Sequence, residues 1–330
     1  MDYTQLGGTG LPVSRLCLGT MTFGLQSDEA TSFAIMDRAY EAGVTFFDTA
    51  DAYPLGGTTD TTGDTEVVIG KWLEGRRDDI ILATKANAPT SRRRWDRGNS
   101  RKHLVEACEA SLRRLGTDHI DLYQLHADDP QTSLEETIRA LDDLVTAGKV
   151  RYAGVSNWAA WRLARSLGVS ELEHRVKFVS VQPRYNLMFR MIERELLPLC
   201  LAENIGVIPY NPLAGGLLTG KHQRSSAPTE GSRFTLGSAA QRYQDRYWHD
   251  AEFSTVDKLL AVAEDLGIPL TTLAVAWVMH QPGITAPIIG ASRPEQLDAV
   301  LAAAELSLDE NVIGRLEEAA DHFVLREATR

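Results

Sequence analysis

Three stretches of the chain decide its fold: residues 44–48 read VTFFD, residues 80–85 read IILATK, and residues 120–126 read IDLYQLH. Each is a short apolar run rich in β-branched or aromatic residues, which is typical of a buried parallel strand. Each run stops on a titratable side chain, namely Asp48, Lys85 or His126. In a closed parallel barrel these ends share one rim, and barrel active sites lie on that rim. The pattern therefore predicts a barrel with its reactive groups gathered at one end.

Strand and helix patterns alternate along the rest of the chain as well. Strands are predicted at residues 16–19, 45–48, 80–84, 120–125, 150–155, 178–181, 206–209 and 286–289, and helices at 28–42, 66–73, 101–115, 133–147, 158–167, 193–203, 271–280 and 294–303. Strict alternation with short connections indicates parallel strands joined by right-handed crossovers. Eight such units predict that residues 1–330 form a single α/β domain, a (β/α)8 or TIM barrel.

Four further segments complete the expected architecture. Residues 3–13 read as a β-hairpin that closes the bottom of the barrel, and residues 310–323 read as an extra C-terminal helix. The segments 54–65 and 213–250 read as long polar loops that follow strands, so we expect both to overhang the active face. Ser133 with Glu136 predicts a capping box at the start of one helix.

Composition and charge exclude several classes of protein. The hydrophobic content of 43% and charged content of 24% are ordinary for a soluble globular protein. The formal net charge of −11 argues against nucleic acid as a main partner. Three scattered cysteines without a Cys-x-x-Cys motif predict reduced thiols in a cytoplasmic protein. We expect no signal peptide and no membrane span, because no apolar run approaches the roughly 20 residues that a bilayer requires.

The polar residues at the strand ends predict carbonyl reduction. A tyrosine hydroxyl has a pKa of ~10 and is a usable acid at neutral pH. Tyr53 follows the strand that ends at Asp48. The ammonium of Lys85 is expected to lower the pKa of Tyr53. Asp48 is expected to pair with Lys85, since a buried ammonium without a partner is costly. His126 is expected to donate to the carbonyl oxygen and orient it.

These segments resemble the signature segments of the aldo-keto reductase superfamily. The similarity covers DTADAY at residues 48–53, TKAN at 84–87 and DLYQLH at 121–126, and it extends from Leu6 to Leu297. The resemblance implies a (β/α)8 barrel that binds NADPH, with NADH as the alternative, without a Rossmann domain. It implies a catalytic tetrad of Asp48, Tyr53, Lys85 and His126, with Tyr53 as general acid and a small carbonyl compound as substrate.

The resemblance also assigns residues to the cofactor. Ser156, Asn157 and Gln182 are expected to hold the nicotinamide amide, and Tyr210 is expected to stack on the nicotinamide ring. The diphosphate is expected to lie along Asn211, Leu213 and Gly215. The 2′-phosphate is expected to be held by Gly290, Ser292 and Arg293. Ser292 with Glu295 reads as a capping box, whose helix N-terminus suits an anion.

One departure and two alternatives accompany this interpretation. Many relatives carry an asparagine that contacts the adenosine where this chain has Val300, which leaves the adenine contacts and the strength of the NADPH preference open. A cofactor-binding regulatory subunit with little turnover is the second interpretation, and a metal-dependent hydrolase using His126, Asp128 and Asp129 is a third. The spacing of those three residues fits no strong metal motif, so no metal site is predicted. Physiological substrate (aldehyde, ketone or keto-sugar), direction and oligomeric state stay undecided.

Overall fold

A computed structural model of the protein describes residues 1–324. Its strands are β1 (Tyr3–Gln5), β2 (Pro12–Ser14), β3 (Cys17–Gly19), β4 (Phe46–Asp48), β5 (Ile81–Ala86), β6 (Ile120–Leu125), β7 (Val150–Ser156), β8 (Phe178–Gln182), β9 (Gly206–Val207) and β10 (Ile288–Ile289). Strands β3 to β10 form one parallel sheet in the order β10-β3-β4-β5-β6-β7-β8-β9. Helices flank this curled sheet, as the predicted (β/α)8 barrel requires.

The sheet curls until its two outer strands approach each other. Parallel bridges join Val207 to Ile284 and Tyr210 to Ile288, and the Ile288 N–H donates to the Pro209 carbonyl at 2.8 Å. The strands predicted at 206–209 and 286–289 are reduced to two residues each, because Pro209 and Pro287 lack the N–H that a regular ladder needs. The carboxyl ends of the strands therefore gather at one face.

The N-terminal hairpin closes the opposite end. Strands β1 and β2 pair antiparallel, with Tyr3 opposite Ser14 and Gln5 opposite Pro12. Leu6 and Val13 from this hairpin are fully buried in a cluster with inward-facing strand residues such as Phe46 and Leu122. Burial of these side chains from water stabilises the closed bottom, as predicted. A second, larger cluster lies between the strands and the surrounding helices.

The helices agree with the sequence prediction except at the end of α5 and in the second half of the chain. They are α1 (Glu29–Glu41), α2 (Asp64–Leu73), α3 (Arg101–Leu115), α4 (Leu134–Thr146), α5 (Ala160–Leu172), α6 (Leu196–Glu203), α7 (Ala240–Tyr247), α8 (Asp250–Leu266), α9 (Leu270–His280), α10 (Leu297–Leu301) and α11 (Glu310–Ala319). The predicted helix 158–167 stops before Gly168, but α5 continues through this glycine to Leu172. The ~1 kcal/mol penalty of an internal glycine is offset because Leu167 and Ser170 stay buried beside it.

Two features of the second half differ from the prediction. The segment 213–250 is not a plain loop, because it contains α7 and three short 3-10 helices. Helix α8, which follows it, is absent from the prediction, although Phe253, Val256 and Leu259 form a buried stripe at helical spacing and Gly267 ends the helix in a left-handed conformation. At α4, Ser133 caps the Glu136 N–H, but the Glu136 carboxylate accepts from the Arg101 N–H, so only half of the predicted capping box forms.

The long segments after β4 and β9 meet above the carboxyl ends of the strands. A Cβ on Gly56 would lie 3.1 Å from the Leu236 carbonyl oxygen, and one on Gly237 would lie 2.5 Å from the Gly56 carbonyl oxygen. Backbones this close leave room only for glycine at both positions. Both segments overhang the active face, as predicted. No single helix within residues 1–324 is long and apolar enough to cross a bilayer; α8 and α9 meet that test only as a pair bent by 96°.

Candidate active site

Lys85 lies at the centre of a buried polar cluster at the carboxyl ends of the strands. Its side chain is fully buried in β5, and its ammonium forms an ion pair with Asp48 at the end of β4. The ammonium also donates to the Thr49 carbonyl at 2.8 Å. Burial lowers the pKa of Lys85, but the charge of Asp48 and the hydrogen bonds of the ammonium outweigh it, so the pKa lies above its usual value. The lysine therefore carries its positive charge inside the barrel.

Asp48 is fixed by two amides as well as by the lysine. Its Oδ2 accepts from Gln124 Nε2 at 2.9 Å and from Gln182 Nε2 at 2.8 Å, while its Oδ1 accepts from Lys85. Both glutamines point into the barrel from β6 and β8. Every oxygen of this buried carboxylate is satisfied, so the ion pair is held in a single arrangement.

Tyr53 lies over this ion pair. Its hydroxyl is 3.5 Å from Lys85 Nζ, which is also 5.0 Å from the centre of the Tyr53 ring. Burial raises the pKa of Tyr53, and this effect exceeds the opposing influence of the Lys85 charge. Lys85 lowers the pKa of Tyr53, as predicted, but the prediction did not include burial, which leaves the net pKa above its usual value. The phenol is protonated at neutral pH and can act as an acid.

His126 faces Tyr53 across the mouth of the barrel. The two rings meet edge to face, with centroids 5.7 Å apart. Burial, reinforced by the charges of Lys85 and Arg242, lowers the pKa of His126 to about 3. Its Nδ1 is buried without a hydrogen-bond partner in the described part of the chain. The imidazole is neutral at physiological pH, and one of its nitrogens carries a proton that can be donated to an oxygen.

Four residues that the resemblance assigns to the cofactor are linked by hydrogen bonds beside His126. Ser156 Oγ donates to the Gln182 carbonyl at 2.9 Å and accepts from Asn157 Nδ2 at 3.0 Å. Asn157 Nδ2 also lies 3.1 Å from the His126 carbonyl. The Tyr210 hydroxyl donates to Asn157 Oδ1 at 2.9 Å. Because the Gln182 amide nitrogen is engaged by Asp48, its side-chain oxygen is the atom left to accept from another group.

The segment after β9 forms a tight glycine turn. Asn211 Oδ1 accepts from the Gly215 N–H at 2.7 Å, and the Leu213 carbonyl accepts from the Gly216 N–H at 2.8 Å. Gly215 and Gly216 have φ angles of 71° and 101°, a left-handed region that other residues avoid. The backbone of this turn can therefore approach a ligand closely.

Lys221 lies beside this turn, and Arg233 and Arg293 lie close enough to influence its charge. A Cβ on Gly216 would be 4.0 Å from the Lys221 side chain. Burial, and then the charges of Arg293 and Arg233, lower the pKa of Lys221. Within residues 1–324 none of these three cations has a carboxylate at ion-pair distance, and Arg233 Nη1 is buried without a hydrogen-bond partner. This arrangement suits an anion such as a phosphate.

Ser292 and Arg293 follow β10, but the predicted capping box of Ser292 with Glu295 is absent. Instead, Gln296 Oε1 accepts from the Ser292 N–H at 2.9 Å and from its hydroxyl at 3.3 Å. The helical segment after β10 begins with a 3-10 turn, Pro294–Gln296. The winding of a 3-10 turn differs from the α-helical geometry that a capping box needs. Gly290 packs closely on β3, since a Cβ there would be 3.4 Å from a strand carbonyl.

Known proteins are similar to this chain over nearly its whole length. The family model described as the aldo/keto reductase family matches residues 15–321. The chain belongs to the aldo/keto reductase family. It is 40% identical to the uncharacterized oxidoreductase YrpG of Bacillus subtilis, over 96% of this chain and 95% of the relative. It is 35% identical to a probable voltage-gated potassium channel subunit beta of Arabidopsis thaliana, over 93% of this chain and 92% of the relative. It is 31% identical to the versiconal hemiacetal acetate reductase of Aspergillus parasiticus, over 96% of both chains.

Family membership confirms the predicted resemblance and makes this chain an oxidoreductase of the aldo/keto reductase type. Such proteins act on small carbonyl compounds with a nicotinamide cofactor. The individual roles of the tetrad and of the cofactor residues stay predictions.

Sequence reasoning missed several residues that the fold brings to the site. Gln124 lies two positions before His126, so the two-residue period of a strand could have placed it inside the barrel. Lys221 and Arg233 come from the segment 213–250, whose path no local pattern determines. Val300, at the position of the relatives' asparagine, is 2% exposed and packs in the core, so it offers no polar atom to a ligand.

Proposed function

We propose that this protein is an NADPH-dependent reductase of aldehydes and ketones, including keto-sugars, in which Tyr53 is the general acid. One observation carries the proposal: the Tyr53 hydroxyl lies 3.5 Å from a buried, charged Lys85 and opposite the neutral ring of His126, at the open end of the barrel. A protonated phenol, a cation that stabilises its conjugate base and a neutral donor are the groups that reduction of a C=O bond requires.

The cofactor site fits NADPH on the observations above. Ser156, Asn157 and the free oxygen of Gln182 would hold the amide, and Tyr210 would lie against the ring. The turn at Asn211, Leu213 and Gly215 would line the diphosphate, and Gly290, Ser292 and Arg293 would hold the 2′-phosphate. Lys221, Arg233 and Arg293 supply unpaired positive charge for the cofactor phosphates, and Arg293 at the 2′-phosphate would favour NADPH over NADH. When bound, this cofactor supplies the hydride for the carbonyl carbon.

The residues of the chain handle the proton. As the carbonyl carbon accepts the hydride, the π electrons of the C=O bond move to oxygen, and Tyr53 transfers its hydroxyl proton to that oxygen. The tyrosinate that remains is stabilised by Lys85, whose charge Asp48 maintains. The neutral His126 donates a hydrogen bond to the same oxygen and orients it. Positioned proton transfer of this kind contributes roughly 10²–10⁴ in rate.

A regulatory, cofactor-binding subunit is the second candidate. It is favoured by the 35% identity to the plant protein named as a probable potassium channel subunit beta. The complete Asp48–Lys85–Tyr53 arrangement favours the reductase, because binding alone does not need a phenol beside a buried ammonium.

The test is a titration of the wild-type protein with NADPH and NADH, followed by intrinsic tryptophan fluorescence, and then turnover with aromatic aldehydes, diketones and keto-sugars. The reductase proposal predicts tight NADPH binding and oxidation of NADPH by at least one of these carbonyl compounds. Tight binding without turnover on any of them would favour the regulatory subunit. Binding of neither cofactor would overturn both proposals.

A further inference from the structure

Three arginines at the mouth of the barrel belong neither to the proton-transfer groups nor to the proposed cofactor contacts. Arg184 lies two residues after β8, and its backbone is bridged to that of Tyr210. Arg242 and Arg246 lie one turn apart on α7, within the long segment that overhangs the site. The three side chains come from two parts of the chain, and Arg184 Cζ lies 5.9 Å from the centre of the ring of Tyr247, which is the residue after Arg246 on α7.

Helix α7 is held firmly above the strand ends. The Tyr247 hydroxyl accepts from Asn186 Nδ2 at 3.2 Å and from Asn211 Nδ2 at 2.8 Å. Tyr243, one turn earlier, is buried, and a Cβ on Gly215 would lie 2.7 Å from its ring. With Tyr243 and Tyr247 fixed inward, the adjacent positions 242 and 246 run along the edge of the mouth.

The positive charges of these arginines influence His126 and Tyr210. Arg242 is among the causes that lower the pKa of His126, after burial and Lys85. At Tyr210, burial raises the pKa, whereas Arg246, Arg184 and Arg242 oppose that increase. Electrostatic influence decays with distance, so Arg242 lies near His126, and all three arginines lie near Tyr210.

No acidic side chain neutralises this group within residues 1–324. None of the three arginines forms an ion pair there, and Arg246 Nε is buried without a partner. The guanidinium of Arg184 lies instead 3.5 Å from the centre of the Phe189 ring. Asp245, between the two helix arginines, accepts from Gln241 at 2.7 Å.

This lack of acids contrasts with the rest of the molecule. The chain has 45 acidic against 34 basic residues, yet three arginines converge here without a counter-ion. Like charges repel, and the half-buried guanidinium groups of Arg184 and Arg246 lose hydration, so the arrangement is unfavourable unless an anion occupies it. The nearby carboxylate of Asp48 cannot serve, because Lys85 and two glutamines already engage it.

We propose that the preferred carbonyl substrate is an anion, with a carboxylate or phosphate held by Arg242 together with Arg184 and Arg246, and its C=O group directed at Tyr53 and His126. The inference rests on the proposed reductase and adds the chemical class of its substrate. Arg242 acts on His126, on the substrate side, whereas the cofactor phosphates have their own cations in Lys221, Arg233 and Arg293. The arginines bind the substrate and take no part in the transfer of the proton.

The test compares three aldehydes that share one ring: para-carboxybenzaldehyde, its neutral methyl ester and para-formylphenyl phosphate. Each is assayed by NADPH oxidation with the wild-type protein, with Arg242→Gln, and with Arg165→Gln as a control. Arg165 is exposed on α5 and pairs with no acid within residues 1–324, so the control removes the same charge elsewhere. Affinity for NADPH is measured on every variant.

We expect Arg242→Gln to lower kcat/KM for an anionic aldehyde by about 10-fold or more, the usual effect of losing a charged hydrogen bond. The ester, the NADPH affinity and the control variant should not change. The ratio of kcat/KM for para-carboxybenzaldehyde to that for para-formylphenyl phosphate shows which anion is preferred. An equal loss for ester and anion, no loss at all, or a loss confined to NADPH affinity would overturn the inference.

If the wild-type protein reduces none of these aldehydes and none of the diketones and keto-sugars named above, the reductase proposal fails on its own. Binding of benzoate and of benzyl alcohol, followed by tryptophan fluorescence, then tests the anion site separately. Benzoate binding that weakens in Arg242→Gln would support the site, and equal binding of the neutral alcohol would refute it.

Discussion

Replacing Asp48 by asparagine should destabilise the protein strongly, although the two side chains have the same shape. Lys85 is fully buried, and Asp48 is the one carboxylate paired with it in the described structure. Removing one partner of a buried ion pair costs about 3–5 kcal/mol, because the remaining charge is left uncompensated. The amide introduced by the substitution would also turn its NH₂ group either toward the ammonium or toward the donors of Gln124 and Gln182.

The assay is urea unfolding at pH 7, with two companion variants. Asp48→Asn should lose about 3–5 kcal/mol, whereas the double variant with Lys85→Met, which removes both charges, should recover most of that loss. Asp298→Asn removes the same charge from an exposed pair with Arg38, and its stability should be unchanged. A loss below about 1 kcal/mol for Asp48→Asn, or a double variant less stable than the single one, would refute the reasoning.

Three further predictions address pH, cofactor choice and the closed bottom. The pKa of His126 is lowered to about 3 and that of Tyr53 is raised. We therefore expect kcat/KM to be constant from pH ~6 to ~9 and to fall only at higher pH. A change in kcat/KM centred at pH ~6.5 would contradict a neutral His126. Arg293→Ala should weaken NADPH by about 10-fold or more and NADH much less in fluorescence titrations, and equal losses would refute a 2′-phosphate contact. Gly7→Ala should lower the free energy of unfolding in urea by about 2 kcal/mol or more, because its Cβ would lie 2.6 Å from the Asn204 carbonyl oxygen. The control Gly10→Ala, whose Cβ meets no atom within 4 Å, should leave that free energy unchanged.

The barrel and its reactive rim could be predicted because both depend on local pattern. The strands that end near Asp48, Lys85 and His126 are short apolar runs, and a parallel barrel brings such ends together whatever the loops do. Helix α8 was missed for a different reason: it follows directly on the segment 213–250, so no obvious boundary separated it from that segment.

The pKa shifts at the site and the arginines gathered there could not be predicted from the sequence. The pKa of Tyr53 depends on how much burial outweighs the charge of Lys85, which only the three-dimensional packing determines. Arg233 and Arg242 reach the site through the path of the segment 213–250, and that path is fixed by tertiary contacts such as the hydrogen bond of Asn211 to Tyr247. At Ser292, the residues of a capping motif are present, but the chain winds as a 3-10 turn and selects Gln296.

The most direct test of the central claim is the rate of NADPH oxidation by Tyr53→Phe, measured with any carbonyl compound that the wild-type protein reduces. Phenylalanine keeps the ring above Lys85 and removes only the hydroxyl that supplies the proton. The account predicts a rate lower by roughly 10²–10⁴, with NADPH affinity and urea unfolding unchanged. A rate close to that of the wild-type protein would contradict the assignment of Tyr53 as general acid.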